Sequence, residues 1–154
     1  MDLSDLIRPD SVIPSMKANS KKQAIQELAH KGAEITGIDE RTIFDTLLQR
    51  EKLGSTGVGG GIAIPHGKLP GLTQIHGAFA RVPKPIDFEA LDDQPVDLLF
   101  LLLAPENAGA DHLKALARIA RILREPGVAS RLRNAPDPAV LYGVLTEGAT
   151  HHAA

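Results

Sequence analysis

No cysteine occurs in the 154 residues, which excludes disulfides, thiol nucleophiles and cysteine-ligated zinc. That absence fits a reducing cytoplasm. Tryptophan is missing too, and one tyrosine and four phenylalanines leave little material for platforms that stack single-stranded nucleic acid. Neither sign of charge dominates. The formal net charge is −2 and there is no long basic run, so nucleic acid is not an expected partner. The longest apolar run, Leu98 to Pro105, falls far short of the roughly 20 residues a membrane helix needs, so no membrane insertion is expected. Met1 to Asp5 lacks the basic segment and apolar stretch of a signal peptide. A cytoplasmic protein is the expectation.

What is present reads as a globular chain, with 43% hydrophobic and 23% charged residues. Its length suits a single domain over residues 1–147, followed by a small, polar, mobile tail at 148–154 that includes His151 and His152. Ser20 and Gln23 have the spacing of a capping box, and Ala24, Ile25, Leu28 and Ala29 follow at helical intervals, with Gly32 and Gly37 bracketing the end. Asp39 suits the N-cap of a second helix that buries Ile43, Phe44, Leu47 and Leu48. Ser55 to Gly61 reads as loop, because so many glycines weaken any regular element. Ile62–Ile64, Gln74–Val82 and Pro95–Ala104 read as strands, the last almost wholly apolar like a strand covered on both faces, and Val12-Ile13 as an edge strand. Pro83, Pro85 and Pro95 mark the connection between the two longer strands. Asp111 is the expected cap of a third helix, with Leu113, Leu116, Ala117, Ala120 and Leu123 along one face. A short helix near 128–133 and a last one opened by Asp137-Pro138 complete the chain. The economical solution is an α/β fold, a three-layer α/β/α sandwich with a small mixed sheet flanked by helices.

The chemistry is concentrated between Gly54 and Lys68. A nucleotide P-loop does not fit, since Gly61 lies one residue too far from Gly67-Lys68 and Leu69 stands where Ser or Thr is needed. The dinucleotide fingerprint read from Gly57 fails at Ile62, and neither a nucleophile elbow nor a His-Glu-x-x-His zinc motif occurs. What remains is His66, placed after a short apolar strand and Pro65, whose fixed φ gives the imidazole a defined direction. Gly67 leaves room beside the ring, and the upstream glycines offer the N–H groups of an anion nest. A mostly neutral imidazole is a good nucleophile, and its nitrogen is also a good leaving group, so a phosphoryl group there is reversible cargo. A zinc site from His66, His112 and Asp111 competes with this reading but leaves the glycines unexplained.

The run Arg50-Glu51-Lys52-Leu53-Gly54-Ser55-Thr56-Gly57-Val58-Gly59-Gly60-Gly61-Ile62-Ala63-Ile64-Pro65-His66-Gly67-Lys68 resembles the active-site signature of phosphotransferase-system enzyme IIA of the fructose/mannitol class, most closely its nitrogen-regulatory branch. The similarity extends to the opening helix pair, Asp93 to Phe100 and Asp111-His112-Leu113. Gly60 departs from it, since relatives are expected to carry a side chain there.

The resemblance implies that His66 accepts a phosphoryl group from an HPr-type phosphocarrier, which ultimately draws on phosphoenolpyruvate. His112 and Arg50 match residues that stabilise that group, and Ser55 and Thr56 are further candidate contacts. Neither metal nor cofactor is implied. The implied role is a regulatory carrier whose phosphorylation state controls targets such as transporters or sensor kinases. Two other roles remain open: the IIA component of a fructose- or mannitol-type sugar transporter, and a binding module indifferent to phosphorylation. His30 and His76 read as structural.

Overall fold

The computed structural model describes the backbone of residues 2–153 and the side chains of residues 2–147. Two single-turn 3-10 segments, Leu3–Asp5 and Pro9–Ser11, lead into β1 (Val12–Ile13). Helix α1 (Lys21–Thr36) opens on Ser20, whose hydroxyl accepts from the Gln23 backbone N–H. The return bond of the expected capping box shifts by one residue, since Gln23 Oε1 accepts from the backbone of Asn19. Gly32 lies inside this helix and is buried, while Gly37 ends it in the left-handed conformation. Helix α2 (Glu40–Lys52) is capped by Asp39 as expected.

Six strands follow one another across a mixed sheet. They are β1, β2 (Gly57–Gly59), β3 (Ile62–Ala63), β4 (His66–Leu69), β5 (His76–Ile86) and β6 (Val96–Pro105). Their order is β1-β5-β6-β3-β2, with β4 also beside β6. Strands β3 and β4 pair parallel to β6 in one unbroken register, Ile62 opposite Leu98 and His66 opposite Leu102. They are one strand interrupted at Ile64-Pro65, where proline has no N–H to give to a ladder.

The sheet is covered twice. Leu99, Leu101 and Leu103 of β6 pack with Ile25, Leu28, Ile43 and Leu47 of α1 and α2. The alternate residues Leu98, Phe100 and Leu102 pack with Ile119, Leu123, Leu132 and Leu141 on the other face. Those come from α3 (Ala110–Arg124), α4 (Pro126–Asn134) and α5 (Pro138–Ala153). Each fully buried Leu or Phe contributes about 1.5–3 kcal/mol, so this double-sided strand anchors the three-layer α/β/α sandwich.

Several expectations are corrected. The glycine segment is not all loop, because β2 pairs antiparallel with β3. Strand β5 runs on through Pro83 and Pro85 to Ile86; these prolines are exposed and lie where the register with β6 shifts, so no ladder bond is asked of them. Gly109, not Asp111, occupies the N-cap of α3, and no side chain caps that end. Helix α3 buries His112, Ala115, Ile119 and Leu123, while Leu113 is 68% exposed. Apolar residues occupy both stripes of this helix, and the packed one brings His112 inward. The tail expected at 148–154, with His151 and His152, lies outside the described side chains, and the α5 backbone is helical to Ala153.

Candidate functional site

The interruption between β3 and β4 determines how His66 is held. The carbonyl of Ile64 takes no part in the ladder and lies 2.8 Å from His66 Nδ1. On the other side of the ring, Arg50 Nε donates to His66 Nε2 at 3.2 Å. A guanidinium can only donate, so Nε2 is the acceptor and the ring proton sits on Nδ1. The two ring nitrogens thus have fixed partners, Nδ1–H on the Ile64 carbonyl and the Nε2 lone pair on Arg50. Arg50 is itself tethered, because its Nη1 donates to the carbonyl of Gly54 at 2.9 Å.

His112, in the first turn of α3, meets His66 edge-on with ring centroids 5.5 Å apart. It is only 6% exposed, and its Nε2 is buried without a hydrogen-bond partner. An unmet polar atom of this kind costs about 1–3 kcal/mol, which marks a place where a partner is missing. Burial pushes the His112 pKa down to about 4, and the nearby His66 and Lys68 add to that. The pKa of His66 is lowered as well, first by burial and then by Arg50, against the opposing pull of the Ile64 carbonyl and Glu51. Both rings are neutral at neutral pH.

An open pocket of about 400 Å³ joins these groups, lined by Thr46, Gln49, Arg50, Leu53, His66, Gly67, Lys68 and His112. The structure thus brings His66, His112 and Arg50 together. It does not bring Ser55 or Thr56 into the lining, because both hydroxyls are engaged elsewhere. Ser55 Oγ donates to the carbonyl of Phe88 and Thr56 Oγ1 to Glu51.

The glycines serve a different purpose from the expected nest. Gly60 and Gly61 have φ of 67° and 80°, the two positive values that a tight hairpin between β2 and β3 requires. Their turn precedes Ile62, four positions of β6 away from His66, or about 13 Å at the rise of a strand. The anion received there is internal: the Gly60 N–H donates to Asp92, whose carboxyl is held below its ordinary range by backbone N–H groups. Gly67 lines the pocket beside His66, and its lack of a side chain also serves the packing. A Cβ there would stand 2.7 Å from Thr46 Cγ2, so the bare backbone lets β4 lie close against α2.

Lys68, Leu53, Thr46 and Gln49 were not singled out from the sequence. A signal was available for three of them, since 46, 49, 50 and 53 form one helical stripe that includes Arg50. Among the described residues, no group of three or more His, Asp or Glu side chains is placed to hold a metal ion. No helix among them is long and apolar enough to cross a membrane. His30 lies on an exposed face, ion-paired with Glu34 and Glu40, and His76 opens β5.

Residues 5–148 match the family described as "Phosphoenolpyruvate-dependent sugar phosphotransferase system, EIIA 2". A nitrogen regulatory protein of Bradyrhizobium diazoefficiens is 63% identical over 145 residues, covering 94% of this chain and 95% of that one. A fructose-specific EIIA component of Haloferax volcanii is 37% identical over 151 residues, covering 96% and 98% respectively. The crystal structure of the nitrogen regulatory protein IIA-Ntr from Neisseria meningitidis superposes with a TM-score of 0.89 at 34% identity, covering 94% of this chain and 99% of that one.

Proposed function

The chain belongs to the EIIA 2 family of the phosphoenolpyruvate-dependent sugar phosphotransferase system, and from that membership we propose that it is a cytoplasmic regulatory carrier taking a phosphoryl group onto His66 Nε2 from an HPr-type phosphocarrier. The observation that carries this reading is the preset tautomer, with Nδ1–H on Ile64 and the Nε2 lone pair facing Arg50.

Nε2 attacks the phosphorus of the donor phosphohistidine in line. The new N–P bond forms as the donor's N–P bond breaks, and the electron pair leaves with the donor imidazole. No proton has to leave His66, because the attacking nitrogen carries none. The ring becomes cationic, and its Nδ1–H stays on the Ile64 carbonyl, which stabilises that charge. Arg50 Nε passes from the nitrogen to a phosphoryl oxygen, and His112 Nε2–H donates to another. Charge-assisted bonds of this kind are worth roughly 1.5–3 kcal/mol each. The group brings close to two negative charges, which the uncapped N-terminus of α3 also favours.

A regulatory role is supported by the 63% identity to a nitrogen regulatory protein. In that role the phosphoryl group changes the affinity for target proteins, transporters and sensor kinases among them. The Haloferax relative favours a second reading, supply of phosphoryl groups to a sugar permease. Incubation with enzyme I, the phosphocarrier and phosphoenolpyruvate tests the carrier chemistry. Acid-labile phosphate is expected on the wild type and none on His66→Ala; equal uptake by the variant rules the assignment out. Partner affinity measured on both phosphoforms then separates a switch from an indifferent module, since a ligand with equal affinity for two states shifts neither.

A further inference from the structure

Among the described residues away from the pocket, Glu51 is a buried acidic side chain. It is 7% exposed and follows Arg50 directly. Its Oε1 accepts from the Thr56 backbone N–H at 3.0 Å, and its Oε2 from the Thr56 hydroxyl. Lys21, the first residue of α1, places its Nζ 3.1 Å from Oε1. The same ammonium lies 5.0 Å from the centre of the Phe88 ring, and the Phe88 carbonyl takes the Ser55 hydroxyl. One carboxylate therefore ties the start of α1, the end of α2 and the loop that follows into a single unit.

That unit reaches the reacting ring. Thr56 O accepts from the Ile64 N–H at 3.0 Å, and Ile64 O holds His66 Nδ1 at 2.8 Å. Pro65 restricts the next dihedral, and its carbonyl is taken by the Leu102 N–H, so Ile64 is held at both ends. The loop closed by Glu51 also contains Gly54, whose carbonyl tethers Arg50.

We propose that Glu51 is a positioning residue for phosphoryl transfer, acting through Thr56 and Ile64 to hold His66 in the Nδ1–H tautomer, with Nε2 unprotonated and facing Arg50. This rests on the carrier function proposed above and extends it to a residue that touches neither cargo nor partner. Were Glu51 only a brace for the loop, its loss would lower the melting temperature and leave the ring's proton where it is. A relay to His66 moves that proton.

The experiment compares Glu51→Gln, Thr56→Val and Thr56→Ser with the wild type. On each unphosphorylated protein the His66 tautomer is read from ring ¹⁵N chemical shifts. The rate constant of phosphoryl uptake is then measured with a phosphorylated HPr-type carrier. For Glu51→Gln and Thr56→Val the expected result is a mixture with the Nε2–H tautomer. The uptake rate should drop about 10- to 100-fold, the scale of a small misplacement of a reacting group. Thr56→Ser, which keeps the hydroxyl, should restore both. A wild-type tautomer in the two variants overturns the role of Glu51 whatever the rate, and so does a shifted tautomer with an unchanged rate. If Glu51→Gln does not fold, Thr56→Val against Thr56→Ser decides the matter alone. Because the tautomer needs no phosphoryl group, a wild type that takes up none overturns the carrier function separately.

Discussion

Two places on the β2–β3–β4 edge of the sheet depart from regular structure, and they differ in how their polar groups end up. At the hairpin of Gly60 and Gly61 every charge is answered from within. Asp92 takes the Gly60 N–H, and Arg133 reaches both Asp97 and the Gly60 carbonyl. At the Ile64-Pro65 interruption one group stays open: His66 Nε2 accepts from Arg50, but the neighbouring His112 Nε2 has no partner. Glycine content points to the first place and unmet polarity to the second. Unmet polarity is the better guide to chemistry, because a closed network has nothing left to offer a ligand.

The sharpest way to break this contrast is to remove one arginine from each place. Arg50→Ala should slow phosphoryl uptake by roughly 100-fold, as loss of one donor to a transferring group does, with little change in the urea midpoint. Arg133→Ala should do the reverse: a loss of about 1–2 kcal/mol in urea unfolding, from bonds to Asp97 and Gly60, at an unchanged uptake rate. If the two variants behaved alike, the distinction between a closed and an open network would fail.

Acid sharpens it next. Both site rings have folded pKa values below the ordinary 6.5, His112 at about 4. Below 6.5 the unfolded chain therefore takes up protons that the folded protein refuses. Their contribution is complete above that pH and is lost as the pH falls toward 4. Urea midpoints at pH 7 and pH 4.5 should differ less for His112→Gln than for the wild type. In the phosphorylated protein the added negative charge should raise the His112 pKa, which an NMR titration of its ring would follow.

The smallest effect belongs to Gly60→Asn. The position has φ of 67° with nothing within 4 Å of a Cβ, and asparagine accepts that conformation. Stability should stay within roughly 0.5 kcal/mol of the wild type.

Much of the architecture was legible from local pattern. The caps at Ser20 and Asp39, the apolar run of β6 and the restriction at Pro65 each act over a few residues, and each is where the sequence puts it. The misreadings share a cause, which is that the deciding partner is distant along the chain. Asp92 and Arg133 fill the glycine turn from 32 and 73 residues away. The stripe of Leu113, Leu116 and Ala117 is as plausible as that of His112, Ala115 and Ile119 until β6 selects one. Glu51 lies in the signature run, but its enclosure depends on Lys21, thirty positions before it, as well as on Thr56. In the site, His66 and its neighbours Arg50 and His112 were legible as a motif. The proton on Nδ1 was not, because it depends on which carbonyl the broken strand leaves free.

The unmet nitrogen of His112 has a thermodynamic consequence. It costs the resting protein free energy, and under the carrier function proposed above a phosphoryl oxygen that meets it removes that cost from the loaded form. In a carrier, that difference belongs to the equilibrium constant of group transfer: about 1–3 kcal/mol corresponds to roughly 5- to 150-fold in favour of loading. Under the carrier function proposed above, this one buried atom contributes to where the protein stands on the scale of phosphoryl-transfer potential, between the donor that loads it and the acceptor that unloads it.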